Sequence, residues 1–378
     1  MNQDTRPLIL VVDDSPDVLK FMVLLLKNSG FDILSLMNSR ELETVLNEQK
    51  PDLILLDLYM PEMDGIAVLK FLKKSHYNIP VIMLTSENEK TMLASCLDFG
   101  AVDYITKPVH ELELNARIHT ALRMDAQYHE ILELKNQLAE QLEEVGDIQK
   151  KLLVSQVPQT PFFDVEIFYE PTEYASGDYY DTFPIDDEHT AFVMADVSGH
   201  GAPAMVTMTL VRGYLRILTS KDLSPSDALV KLNQALWDTL PTQQYLTMFY
   251  SIFHHPSRTL RYACAGHTPP LIYQNQQHRV SVLKTHSGLP LKLLEAQKHY
   301  EEAEIRISSG DQLLLYTDGY SECMNENKCF LGIPQMSIYF ERSIQYPAVL
   351  KNMVKLLHQY TGSMHKTDDI AMLLVKFK

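Results

Sequence analysis

Across residues 1–123, short apolar runs alternate with helix-length amphipathic segments about five times, and that alternation confines this part of the chain to an α/β doubly wound, five-stranded parallel sheet. Leu8–Val12, Leu53–Leu56, Val81–Leu84 and Val102–Ile105 are compact enough to be buried strands, and a weaker run lies at Asp32–Leu36. Ser15 then Pro16 reads as an N-cap and first helical residue, and Gly30 as the residue past that helix. Polar groups stand at the ends of these runs: Asp13 and Asp14 after LILVV, Asp57 after LILL, Thr85 after VIML and Lys107 after DYIT. In an open α/β sheet the carboxyl ends of the strands form the ligand crevice. Three carboxylates crowded there repel one another unless a hard cation joins them, and such oxygen donors suit Mg2+. A carboxylate can also act as a nucleophile and form an acyl phosphate. Lys107 then offers a point charge, and Thr85 a hydroxyl, to phosphoryl oxygens.

From about Met124 to Leu153 the composition turns to Glu, Gln, Lys and Leu, without proline. Met124, Ile131, Leu134, Leu138, Val145, Ile148 and Leu152 follow a 3-4 spacing, with Gln127 and Gln141 in the same seam. About four heptads of this kind fit either a coiled coil or a single amphipathic helix lying on a domain. Gly146 costs such a helix about 1 kcal/mol relative to alanine, which argues against one long rigid rod. Pro158 and Pro161 mark a fresh start, so the expected domains are 1–123, a helical linker at 124–157, and 158–378.

The third part reads as α+β. Strands are expected at Val165–Tyr169, Ala191–Ala195, Leu246–Phe253, Leu260–Ala265, Leu271–Tyr273, Glu304–Ile307, Gln312–Tyr316 and Ile370–Val375. Helices are expected at Pro203–Thr219, Pro225–Leu240 and Pro347–Tyr360. Acids sit beside glycine or at strand ends: Gly177-Asp178, read as following a strand, Asp196 in DVSGHG, Asp318 in TDG, and Asp368-Asp369 before the last strand. Glycine allows a sharp turn from which a neighbouring acid projects. Four such turns suggest one oxygen-rich site able to hold two Mg2+ or Mn2+ ions and to activate water against a phosphate ester.

DDS at 13–15, DLYMP at 57–61, TS at 85–86 and YITKP at 104–108 resemble the response-regulator receiver family over residues 7–123. The resemblance implies that Asp57 is the phosphoacceptor, served by a sensor histidine kinase. It also implies that Asp13, Asp14, Asp57 and the Tyr59 backbone carbonyl hold Mg2+, that Thr85 and Tyr104 form the switch pair, and that Lys107 precedes Pro108, where a cis peptide would be a minority proline case.

SGDYYD (176–181), ADVSGHGAPA (195–204), AGHTPP (265–270), LLYTDG (314–319) and DDIAML (368–373) are similar to the type-2C metal-dependent phosphatases, in their SpoIIE/RsbU branch. DIQKKLL at 147–153 resembles the helix that precedes that domain. This likeness implies an α-β-β-α sandwich with Asp178, Asp196, Asp318 and Asp368 as metal ligands, the Val197 carbonyl as a further one, and Asp369 as the less certain member of its pair. Ser176 replaces a glycine usual in the family, and Val154 stands where proline commonly ends the helix. His200 and His267 are each either a general acid for a leaving alkoxide or a turn histidine satisfied by the backbone. Arg212 and Arg216, at i and i+4, could meet a substrate phosphate.

The reading is a two-component response regulator controlling a serine/threonine phosphatase. Its implied substrate is a phosphorylated STAS anti-sigma-factor antagonist in a partner-switching circuit, and a homodimer through the linker is expected. The alternative is a phosphorylation-gated adaptor whose phosphatase-like domain binds without catalysis. Lys+Arg 33 against Asp+Glu 49 gives −16, which disfavours nucleic acid and anionic membrane as main partners. No signal-peptide layout opens the chain, and Cys96, Cys264, Cys323 and Cys329 are scattered, so a cytoplasmic protein is expected.

Overall fold

The computed structural model describes residues 6–61, 63–86, 93–153, 160–172, 174–199, 201–240, 244–284, 287–295, 297–362 and 368–378. Two compact units, Met1–Gln137 and Leu138–Lys378, divide the chain. In the first, β1 (Leu8–Val12), α1 (Pro16–Asn28), β2 (Asp32–Leu36), α2 (Leu42–Gln49), β3 (Leu53–Asp57), α3 (Gly65–Lys74), β4 (Val81–Thr85), α4 (Leu93–Asp98), β5 (Asp103–Thr106) and the start of α5 (Glu111–Leu152) alternate. The parallel sheet has the order β2-β1-β3-β4-β5.

Residue alternation sends Leu10, Val12, Ile54 and Leu56 to one face, packed with Leu46, Val68 and Leu72 of α2 and α3. Ile9, Val11, Leu53 and Leu55 go to the other, against Leu19, Met22, Leu114 and Ile118 of α1 and α5. Every residue of β3 and β4 is therefore buried, as expected where helices cover both faces. Ser15 caps α1 and Asp64 caps α3, the latter accepting from Ala67 N at 2.7 Å.

Helix α5 runs unbroken for 42 residues, across the boundary expected at 123. Gly146 does not interrupt it. A Cβ there would collide with the Tyr174 carbonyl oxygen, so glycine permits close approach of helix and loop. Ile131, Leu134, Leu138 and Ile148 of the predicted seam are exposed, while Val145 packs against the second unit's core.

The second unit contains β6 (Phe163–Glu170), β7 (Tyr179–Pro184), β8 (His189–Val197), α6 (Ala202–Leu218), α7 (Pro225–Trp237), β9 (Leu246–His254), β10 (Thr259–Ala265), β11 (Leu271–Gln274), β12 (Arg279–Val282), β13 (Ser287–Gly288), β14 (Glu302–Arg306), β15 (Gln312–Tyr316), α8 (Asp318–Ser321), α9 (Gly332–Ser343), α10 (Val349–Thr361) and β16 (Ile370–Phe377). One sheet has the order β13-β10-β9-β8-β7, with β14 also on β10; the other has β12-β11-β15-β16-β6.

Strand β16 shows how the layers stack. Ala371, Leu373, Val375 and Phe377 enter the core shared with β8, β9 and helices α6 and α7. Ile370, Met372 and Leu374 enter a second core with Met336, Phe340 and Met353 of α9 and α10. The result is the α-β-β-α sandwich. Met205 and Met208 are core residues of α6, and both Tyr179 and Tyr180 are buried. No helix among the described residues is long and apolar enough to cross a membrane.

Candidate functional site

Two acidic constellations lie at strand ends, one in each unit. In the first unit, Asp13 and Asp57 follow or end the adjacent strands β1 and β3, at 1% and 8% exposure. Lys107, just past β5, donates from Nζ to Asp13 Oδ2 at 2.8 Å and to Asp57 Oδ1 at 2.5 Å. Ser15 N donates to Asp13 Oδ1 at 2.9 Å, and Tyr59 N to Asp57 Oδ2 at 3.2 Å. Asp14 is exposed beside them. Burial pushes the Asp57 carboxyl up; Lys107 opposes the shift and Asp13 adds to it.

Thr85 is buried at the end of β4, in register with Thr106. Tyr104 is half-buried on β5 with the Arg117 guanidinium 5.9 Å from its ring centre, and Arg117 is held by Asp103 at 2.7 Å. The Lys107-Pro108 peptide is cis. A Cβ on Gly65 would lie 2.7 Å from the Asp57 backbone carbonyl oxygen, so glycine lets α3 begin close against the end of β3. Two buried carboxylates share one ammonium here, with the exposed Asp14 next in the chain. That imbalance, with all-oxygen donors, fits a hard divalent cation.

In the second unit, Asp178 precedes β7. The expectation that it follows a strand is corrected: residues 174–178 are loop, and the sharp turn feeds a strand. Asp196 lies near the end of β8, Asp318 begins α8 directly after β15, and Asp368-Asp369 precede β16. Strands β7 and β8 are neighbours in one sheet, β15 and β16 in the other.

Thr317 links the two sheets. Its Oγ1 donates to Asp178 Oδ2 at 2.9 Å and accepts from Ala371 N at 3.0 Å. A Cβ on Gly319 would overlap the Asp369 carbonyl oxygen, and one on Gly177 would lie 2.7 Å from Val197 O. Close backbone approach therefore explains both glycines. Asp369 is itself engaged, its Oδ1 accepting from Thr172 N at 2.6 Å.

Electrostatics tie the acids together. Burial raises the Asp178 carboxyl well above the usual carboxylate range, helped by Asp196 and Asp369 and opposed by Thr317. Asp196, half-buried, is pushed up to about 8 by burial and then by Asp318, Asp368 and Asp369. Burial, Asp368 and Glu322 raise Asp318. The dominant influences on these three include no lysine or arginine. Among the described residues no three His, Cys, Asp or Glu side chains already form an ion cage. The hard oxygen donors and their mutual repulsion fit divalent cations.

His267 is a satisfied turn histidine. Its Nε2 is 3.1 Å from Tyr316 O and its Nδ1 2.7 Å from Thr247 Oγ1, and burial pushes it down to about 4. Arg216 meets no substrate: its Nε and Nη2 each donate at 2.9 Å to Asp181, a fully buried carboxylate that also accepts from Tyr179 OH. Arg212 Nε lies 3.6 Å from the same acid. His200, Val154 and Pro158 lie outside the described residues.

Sequence reasoning did not single out Thr317, Asp181 or Gln149. Only Asp181 carried a signal, an acid within an aromatic strand complementing the paired arginines of α6.

The sequence profile described as Stage II sporulation protein E (SpoIIE) matches residues 186–378, and that of the response regulator receiver domain matches residues 9–119. Phosphoserine phosphatase RsbU of Bacillus subtilis (strain 168) is 28% identical over 273 residues, covering 71% of this chain and 80% of that protein. The alkaline phosphatase synthesis transcriptional regulatory protein PhoP of the same strain is 36% identical over 141 residues, 37% of this chain and 59% of PhoP. The SiaA-PP2C domain of Pseudomonas aeruginosa shares the fold with a TM-score of 0.57 at 19% identity, over 65% of this chain and 98% of that domain.

Proposed function

We propose, from the premise that the chain belongs to the SpoIIE family and carries a response regulator receiver domain, that it is a metal-dependent protein serine/threonine phosphatase controlled by phosphorylation of Asp57. The observation that carries the reading is the common field of Asp178, Asp196, Asp318, Asp368 and Asp369, uncompensated by any dominant cationic side chain.

In the receiver, a histidine kinase would supply the phosphoryl group. Asp57 attacks phosphorus, the bond to the kinase histidine breaks, and an acyl phosphate forms. Asp13, Asp14, Asp57 and the Tyr59 carbonyl would hold Mg2+. Lys107 leaves its bond to Asp57 to pair with the phosphoryl oxygens, and Thr85 and Tyr104 respond as the switch pair.

In the phosphatase domain, Asp178, Asp196, Asp318, Asp368 and the Val197 carbonyl would hold two Mn2+ or Mg2+ ions, with Asp369 beside them. When bound, such ions supply Lewis-acid polarisation of the phosphoester and of the attacking water. Thr317 orients Asp178, and His267 stays neutral and transfers no proton. His200 is the candidate acid for the leaving alkoxide. The substrate class is phosphoserine or phosphothreonine on a STAS anti-sigma-factor antagonist; the relative RsbU is named a phosphoserine phosphatase. The working division remains 1–123, 124–157 and 158–378. The exposed Ile131, Leu134 and Leu138 support a homodimer through the linker. Phosphorylation favours that dimer and raises hydrolysis, with a coupling of about 1–3 kcal/mol.

The test is Mn2+-dependent hydrolysis of a chromogenic phosphate ester and of phosphorylated STAS proteins. Asp196→Asn and Asp318→Asn should lose turnover. Asp57→Asn should keep basal turnover but lose its response to a phosphodonor. Partner binding without turnover in any divalent cation would refute the reading in favour of the adaptor.

A further inference from the structure

We infer that Gln149, near the end of α5, is a positioning residue for Asp178. The inference deepens the phosphatase reading and rests on it.

Asp147, Ile148, Lys150 and Lys151 of the helix are exposed, whereas Gln149, on the face shared with Gly146 and Leu153, is 1% exposed. A buried glutamine needs its hydrogen bonds met, and both ends of this carboxamide are used. Nε2 donates to Ser176 O at 2.7 Å, and Oε1 accepts from Ser176 N at 3.0 Å and from Tyr169 OH at 3.4 Å. The side chain thus grips Ser176 as a neighbouring strand would, holding its N–H and its carbonyl together.

Ser176 passes that constraint on. It is wholly buried, and its Oγ accepts from Asp178 N at 2.9 Å. Asp178 is therefore fixed from behind by Ser176, and in front by Thr317. Gly146, three residues before Gln149 and on the same helix face, brings the helix against Tyr174 too closely for any side chain. Two contacts a turn apart thus set the loop that presents Asp178. The loop's bond on the far side is long, Val197 N to Gly177 O at 3.4 Å. The helix end therefore holds the backbone just before Asp178, while Thr317 holds its carboxylate.

Residues that orient a metal ligand act on affinity for the ion. The test uses the full chain, with Mn2+ alone titrated by calorimetry and hydrolysis of a chromogenic ester followed against Mn2+ concentration. Gln149→Met keeps side-chain volume and helix propensity but loses both bonds to Ser176. Its Mn2+ dissociation constant should rise about tenfold, the half-activating Mn2+ concentration should rise in parallel, and kcat at saturating Mn2+ should stay within about twofold of wild type. Lys150→Met, on the exposed side of the same turn, should match wild type. Ser176→Ala keeps the backbone bonds to Gln149 but cuts the tie to Asp178, and should also weaken Mn2+ binding; it decides the matter if Gln149→Met does not fold. Unchanged Mn2+ affinity in folded Gln149→Met, or in Ser176→Ala, overturns the inference. No Mn2+ binding by wild type overturns the metal reading itself.

Discussion

Stripping divalent cations from the protein is expected to make the second unit less stable as pH rises from about 6.5 to 8. Asp196 carries the argument, because its carboxyl is raised from 3.8 to about 8 by burial and by Asp318, Asp368 and Asp369. In the unfolded chain an aspartate is ionised above about pH 4. The folded, cation-free protein keeps this proton until near pH 8, so the native state binds more protons across that interval. Linkage then lowers the unfolding free energy with each upward step in pH. Stability from this group is complete below about pH 4 and gone above about pH 8.

His267 runs the other way, but lower: burial holds it at about 4, so its contribution grows up to about pH 6.5 and is flat beyond. The upper window therefore isolates the acids. There Asp196 alone accounts for at most roughly 2 kcal/mol, or about 4–8 °C in melting temperature for a unit of this size. Scanning calorimetry in EDTA at the two ends of the window measures it, with excess Mn2+ as the contrast that should remove the loss. Asp196→Asn cannot ionise and should lose its share of the slope. A cation-free wild type equally stable at both ends, or an undiminished slope in Asp196→Asn, refutes the reasoning.

Arg216→Met leaves the buried Asp181 with Arg212 as its counter-charge, and should cost roughly 3 kcal/mol in chemical denaturation while Mn2+ affinity is unchanged. Adding Asp181→Asn should recover most of that loss. Gly319→Ala forces a methyl group into the Asp369 carbonyl and should raise the Mn2+ dissociation constant more than about tenfold; normal affinity would show that the approach is not tight. His267→Asn should lower kcat by less than about tenfold and leave the limbs of the pH–rate profile in place, since a neutral, doubly hydrogen-bonded ring moves no proton.

The receiver strands were legible because helices bury both faces of β3 and β4, which writes them as unbroken apolar runs. Strand β2 reads weakly because it lies at the sheet edge and only Leu36 is fully buried. Strand β7 escaped the pattern because Asp181 and Thr182 are buried within it. Those polar residues become tolerable only once α6 delivers Arg216, a partner 35 positions away. Helix α9 was missed as well; it begins without a side-chain cap, so no start signal precedes Pro334.

The acids of both sites stood out as types at strand ends. What holds them did not. Thr317 joins two sheets through bonds to Asp178 and Ala371, and Gln149 reaches Ser176 across 27 positions. Gly146 was read by its helix propensity as a weak point, whereas tertiary packing makes it the point of closest approach.

Strand β16 is the last element of its unit in chain order, yet it lies between β15 and β6 and feeds both hydrophobic cores. During synthesis, then, β6 waits without a sheet neighbour while the ribosome adds the intervening residues, and Asp368 arrives only with the closing strand. On the proposed mechanism, a nascent chain lacks one of the metal ligands until that strand is made. The same order leaves β6 unpaired on both sides for that whole interval, whereas in the finished sheet it is an edge strand with one side covered by β16.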